Sequence, residues 1–186
     1  MHTTSSQTIG PYLHIGMTWL VDPVMAPEGV AGERVTVGGR ITDADGKPVN
    51  DAMLEIWQAD AQGKYAHPED TRDLPVDPAF SGFGRVVTDD DGRFVFHTIK
   101  PGRVPGPGGQ LQAPHLNVTI FMRGLLRQLV TRLYFPDEAA NDADPVLAAV
   151  PARRRATLVA ARGAQPHMLT WDVVLQGERE TVFFDC

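Results

Sequence analysis

Residues 34–58, Arg-Val-Thr-Val-Gly-Gly-Arg-Ile-Thr-Asp-Ala-Asp-Gly-Lys-Pro-Val-Asn-Asp-Ala-Met-Leu-Glu-Ile-Trp-Gln, decide the fold class. Val35, Val37, Gly39 and Ile41 alternate with other residues at the period of a half-buried strand. Asp43-Ala-Asp-Gly-Lys-Pro48 is turn chemistry, and Met53-Leu-Glu-Ile-Trp57 reads as a second strand. The same grammar recurs downstream. Residues 85–99 read as a hairpin: Val86-Val87, the turn Asp89–Gly92, then Phe94 and Phe96 on one face. Leu116–Met122, Leu129–Phe135, Thr170–Leu175 and Thr181–Phe184 complete the strands, and Arg153–Arg162 reads as a short helix with Leu158 and Val159 as its apolar contacts. Short strands separated by turn signals predict an all-β protein, a sandwich or barrel with long loops.

Composition agrees. The 186 residues include 18 glycines and 15 prolines, about one residue in six against a usual one in eight. This excess, without a collagen period, points to turns rather than long helices. One domain of this size buries enough surface to need no staple. The irregular residues 1–33 read as an N-terminal arm, and residues 34–186 as the β-sandwich domain. The arm carries Tyr12, Ile15, Trp19 and Leu20, so it is expected to pack on something. Residues 59–84 and 100–114 are long irregular segments of the kind that often carries function.

Charge and cysteine usage exclude other classes. A net charge of −6 argues against nucleic acid as a partner. The only cysteine is Cys186, so no intrachain disulfide forms. Neither a signal peptide nor a membrane-spanning run is evident, and a cytoplasmic location is expected.

Several clusters invite a chemical reading. Asp89-Asp-Asp-Gly92 is like part of a calcium loop, but its twelfth position is Lys100, not a carboxylate; a turn is the better reading there and at Asp43–Gly46. Asp137, Glu138, Asp142 and Asp144 offer paired carboxylates, yet nothing nearby completes a site, and they read as a solvated loop. Arg153-Arg154-Arg155 reads as an exposed helix start. In His115-Leu-Asn117, positions i and i+2 share a strand face. A His-x-His pair there would suit a transition metal, but Asn117 is a poor ligand, and His115 alone reads as a hydrogen-bonded structural histidine. The only tyrosines are Tyr12, Tyr65 and Tyr134.

Leu54-Glu-Ile-Trp-Gln-Ala-Asp60, Gly63-Lys-Tyr65, Asp77-Pro-Ala-Phe80, Gly82-Phe-Gly-Arg85, Thr98-Ile-Lys-Pro-Gly102, Ala113-Pro-His-Leu-Asn117, Leu133-Tyr-Phe135 and Asp172–Gly177 occur in one order along the chain. This ordered set resembles the intradiol ring-cleavage dioxygenases from about Ser6 to the C-terminus. The resemblance implies a β-sandwich and a non-haem Fe(III) enzyme that opens protocatechuate with O₂ to 3-carboxy-cis,cis-muconate. It also implies iron held by two tyrosinates and two histidines. The places of those ligands are here Arg72 or Asp73, Val104, His115 and Asn117, of which only His115 is of the ligand type. Tyr65 matches a family tyrosine that is not a ligand.

The chain therefore resembles the metal-free alpha-type member of the family, with no catalytic residue and no metal of its own. That implies a homologous beta subunit carrying Fe(III), an αβ protomer that assembles further, the arm of residues 1–33 packing on the partner chain, and protocatechuate at the αβ interface. The substrate-binding residues this resemblance implies are Thr8, Gly10, Pro11 and Tyr12 from the arm, and Arg123. His14 and Arg132 are further interface candidates. An Arg fork grips a carboxylate in two places, whereas Arg123 alone reads as a surface ion pair. Two rival readings remain: a stand-alone iron protein using Tyr65, His67 and His115, and a sandwich binding module without an enzyme partner.

Overall fold

The computed structural model describes residues 15–185. Among these residues, nine strands form two sheets packed face to face. The first has the order β4 (Arg93–Ile99), β1 (Arg34–Thr42), β8 (Met168–Thr170), β7 (Ala161–Arg162), with β9 (Val173–Val174) pairing the far end of β1. The second has the order β3 (Phe83–Val87), β2 (Met53–Trp57), β5 (His115–Phe121), β6 (Leu129–Tyr134). The fold is thus the expected all-β sandwich with long loops and few short helices.

The alternating residues explain the packing. Val37 and Ile41 on β1, Phe94 and Phe96 on β4, and Leu54, Ile56, Leu116, Val118 and Ile120 from the second sheet fill one shared core. The alternation skips a side chain at Gly39 for a steric reason. A Cβ there would sit 1.9 Å from the carbonyl oxygen of Trp171. The missing side chain lets the returning chain lie against β1, where Trp171 N–H donates to Gly38 O at 2.9 Å.

Four details of strand and helix layout differ from the sequence expectation. Residues 85–99 are not a hairpin: β3 pairs with β2, and β4 pairs with β1 in the other sheet. The Asp89–Gly92 turn is a corner between sheets. Its Asp89 Oδ1 accepts from the N–H groups of Asp91 and Arg93, which fixes the bend but not the destination of the strand. The strand expected over 170–175 is split into β8 and β9, both parallel to β1. At the break, Asp172 Oδ1 accepts from Arg40 N–H in place of a ladder carbonyl. The expected helix over 153–162 is shorter, because α2 (Ala152–Arg155) passes into a 3₁₀ turn at Ala156–Leu158 and the chain then extends alongside Tyr134. Residues 181–184 contribute one isolated bridge, Val130 to Phe184, rather than a strand.

The described part of the arm packs on its own domain. Asp22 bridges Arg85 on β3, Val24 bridges His97 on β4, and Met25 enters the main core at 2% exposure. Trp19 and Ile15 are instead more than three-quarters exposed. No helix among the described residues is long and apolar enough to cross a membrane.

The loop after β6 is not the solvated stretch its composition predicts. Asp144 is fully buried and caps α1 (Pro145–Ala149). Its Oδ1 accepts from Val146 and Leu147 N–H and from the Tyr134 hydroxyl, and its Oδ2 accepts from Ala113 N–H at 2.7 Å. Glu138 pairs with Lys100 at 2.6 Å, which lowers its pKa. The arginine run is also engaged: Arg154 pairs with Glu180, and Arg155 donates to the carbonyls of Val150 and Ala148.

Candidate functional site

The outer face of the second sheet carries the residues singled out by sequence. Antiparallel register places Phe83, Trp57, Asn117 and Arg132 in one row across the four strands, with His115 opposite Tyr134 on the neighbouring β5–β6 pair. Two irregular segments, 58–82 and 100–114, cover this face. They meet where Gly63 has φ +82, and a Cβ there would lie 2.1 Å from the Arg103 carbonyl oxygen. Glycine is needed for both the backbone and the approach. Asp60 completes the join by accepting from Gly102 N–H on its carbonyl, and from Gln62 and Lys64 N–H on Oδ1.

Between the segments lies a cleft of about 580 Å³ whose walls include Trp57, Tyr65, His67, Arg72, Val104 and Pro105. Trp57 and Tyr65 stack at 5.8 Å with an interplanar angle of 10°, and His67 meets Trp57 edge-on. Burial raises the Tyr65 pKa against an opposing hydrogen bond from Asn117, so the phenol is neutral at ordinary pH. Beneath it, Lys64, Asp70 and Arg72 form an ion cluster. Arg72 donates through Nε at 2.8 Å and Nη2 at 2.5 Å to the Asp70 carboxylate, and Lys64 lies 3.2 Å from Asp70 Oδ1. The Arg72 guanidinium, ahead of the backbone and Lys64 bonds, holds Asp70 well below the usual carboxylate range.

The ligand places implied by the resemblance come out as follows. Of the two residues at the first place, Arg72 is a cation in the cleft wall and Asp73 is exposed outside it. Val104 is buried and apolar. Asn117 donates its amide N–H to the Trp57 carbonyl at 3.5 Å. His115 is 4% exposed, with Nδ1 against Ala113 O at 2.8 Å and its ring 5.7 Å from Tyr134. Burial, and then the charge of Arg132, push its pKa down to about 4. It is the hydrogen-bonded structural histidine that its sequence setting predicts. Among the described residues, no group of three or more His, Cys, Asp and Glu is placed to hold a metal. The residues at those places do not fit a ferric centre: Arg72, Val104 and Asn117 put a guanidinium, an apolar side chain and an amide where the resemblance calls for two phenolates and an imidazole. Of the rival ligand set, Tyr65 and His67 pack on Trp57, and His115 packs on Tyr134.

Arg123 sits in the turn after β5. It is about three-quarters exposed and is paired through Nε to Asp51 Oδ2 at 3.0 Å. Arg132 is part-buried and donates to Gln112 Oε1 at 2.6 Å. Thr8, Gly10, Pro11, Tyr12 and His14 lie outside the described residues. Sequence reasoning does not find the Lys64–Asp70–Arg72 cluster, because charges so close together in a polar segment read as solvated. The signal available is Lys64 itself, flanked by Gly63 and Tyr65 in one of the family motifs.

The family model described as Dioxygenase matches residues 10–177. The chain belongs to the intradiol ring-cleavage dioxygenase family. It is 47% identical to the protocatechuate 3,4-dioxygenase alpha chain of Burkholderia cepacia over 98% of this chain and 96% of that one. Against the alpha chain of Pseudomonas putida the identity is 42% over the same shares. The beta chain of the Burkholderia cepacia enzyme is 39% identical over 81% of this chain and 67% of that one. Among solved structures, the dioxygenase domain of a carbohydrate-binding fusion from Streptomyces sp. SirexAA-E superposes with a TM-score of 0.65 at 29% identity, covering 87% of this chain and 89% of that one.

Proposed function

We propose that this chain is the non-catalytic, iron-free alpha subunit of a protocatechuate 3,4-dioxygenase. It pairs with a homologous beta subunit, and the ring is cleaved to 3-carboxy-cis,cis-muconate at the beta subunit's Fe(III). One observation carries the reading: near-complete alignment with alpha chains combined with ligand places held by Arg72 or Asp73, Val104, Asn117 and a structurally committed His115. The similarity to a beta chain of the same enzyme supports a pair of homologous subunits, and further assembly of that αβ protomer extends the reading.

In this account the chain's contribution to the reaction is positional. Arg123 presents a guanidinium at the surface, held by a single carboxylate, Asp51. In this reading it exchanges that partner for the carboxylate of protocatechuate at the αβ interface, where a charge-assisted hydrogen bond fixes the ring's orientation. Thr8, Gly10, Pro11 and Tyr12 supply the other wall, as the resemblance implies.

The test is Arg123→Ala in the assembled enzyme. The Michaelis constant for protocatechuate is expected to rise by roughly tenfold or more, from losing a hydrogen bond between charged groups. The constant for catechol, which lacks the carboxylate, is expected to stay within about twofold. Equal changes for both substrates would remove Arg123 from the site. Failure of this chain to co-purify with a beta-type partner would remove the subunit reading itself.

A further inference from the structure

The β2–β5 ladder ends in a charged pair. Its register runs from Trp57 opposite Asn117 to Met53 opposite Phe121, and two residues beyond that last pair Asp51 meets Arg123. The pair therefore lies at the end of the sheet away from Trp57 and Asn117. Its two members are held differently. Asp51 precedes Ala52, which is fully buried and tied to Thr88: Ala52 N–H donates to Thr88 Oγ1 at 3.0 Å, and Ala52 O accepts from Thr88 N–H at 3.0 Å. The Asp51 side chain is 20% exposed. Arg123 enters the β5–β6 turn beside Gly124, which has φ +89 and open space around it, and its side chain is 76% exposed. The carboxylate is thus the fixed member and the guanidinium the movable one.

The contact is a single one, Arg123 Nε to Asp51 Oδ2 at 3.0 Å, and no other carboxylate among the described residues pairs with Arg123. An exposed ion pair of this kind contributes little to folding. Its consequence falls instead on what else Arg123 can bind. We infer that Asp51 is a built-in competitor of the substrate's carboxylate: it occupies the Arg123 guanidinium while the site is empty, and an incoming aromatic acid must displace it. The inference deepens the role given to Arg123 above and rests on it. The pair sets a threshold. An aromatic acid crosses it with its ring contacts added to its charge, whereas a small inorganic anion has charge alone and is held off.

The test uses the assembled enzyme. Asp51→Asn keeps the shape of the side chain and removes its charge. The Michaelis constant for protocatechuate is expected to fall about two- to fivefold, the weight of one exposed ion pair, and the constant for catechol, which has no carboxylate, is expected not to follow. Inorganic phosphate is expected to inhibit Asp51→Asn at a correspondingly lower concentration. Asp51→Ser removes the same charge with a different shape and is expected to give the same shift, which separates loss of charge from a disturbed turn. Asp51→Glu restores a carboxylate and is expected to restore the unaltered constants. In an Arg123→Ala background, Asp51→Asn is expected to change nothing. A constant for protocatechuate that rises or stays put in Asp51→Asn, an equal fall for catechol, or the same fall without Arg123 would overturn the inference. If Arg123→Ala separates the two substrates and Asp51→Asn does not, the competitor alone is refuted; if Arg123→Ala shifts both equally, the role of Arg123 falls with it.

Discussion

His115 makes the acid sensitivity of the fold calculable. Its imidazole is enclosed at 4% exposure between Ala113 O and Tyr134, and its pKa falls from 6.5 to about 4. In the unfolded chain it would titrate near 6.5. Above that pH the ring is neutral in both states and contributes no pH dependence. Below it, the unfolded state binds a proton that the folded state refuses, so stability is lost as pH falls. The loss runs at about 1.4 kcal/mol per pH unit, reaching about 2 kcal/mol at pH 5 and about 3 kcal/mol near pH 4, where the folded state begins to titrate too. The other described histidines, His67, His97 and His167, are exposed. Urea unfolding followed by tryptophan emission at pH 7, 6 and 5, with and without His115→Gln, reads the effect. Glutamine retains a donor for Ala113 O but does not titrate, so the variant is expected to lose the slope between pH 6.5 and 4.5. An imidazole NMR titration of His115 near 6.5, or an unchanged slope in the variant, would refute the reasoning.

Three further predictions concern stability. Asp144→Ala removes the acceptor shared by Ala113 N–H, the Tyr134 hydroxyl and the first turn of α1, and is expected to cost roughly 3–5 kcal/mol in chemical denaturation. A loss under 1 kcal/mol would show that water replaces it. Gly39→Ala puts a methyl group 1.9 Å from a backbone oxygen and is expected to cost about 1–3 kcal/mol or more, with thermal unfolding as the readout; a neutral result would mean the β1–Trp171 approach is loose. At high pH, burial lifts the Tyr134 pKa to about 12, so the unfolded state ionises first and stability is expected to decline between pH 10 and 12.

What the sequence makes legible is what local pattern determines. Val35, Val37 and Ile41, and likewise Phe94 and Phe96, announce buried strand faces, because each needs only its own period. The destination of a strand is another matter. Asp89–Gly92 bends the chain by the same side-chain-to-backbone bonds whether the next strand pairs with the last or crosses to the other sheet, so a corner reads as a hairpin. Asp144 looks solvated within Ala-Asn-Asp-Ala-Asp-Pro, since the groups that bury it, Ala113 N–H and the Tyr134 hydroxyl, arrive from other elements. The site was legible as a family pattern at Tyr65, Val104, His115 and Asn117. Its electrostatics were not, because pairing two cations with Asp70 depends on how residues 63–72 fold back on themselves.

The most direct test of the central claim is iron content and visible absorption of this chain, purified alone and then with its beta-type partner. Tyrosinate bound to Fe(III) gives a charge-transfer colour that a neutral phenol does not. The account predicts a colourless, iron-free chain alone, and a coloured complex active on protocatechuate whose iron matches the partner's content. Iron and ring cleavage in this chain alone would contradict it, and would mean that other residues have taken the place of the ligands that Arg72, Val104 and Asn117 do not provide.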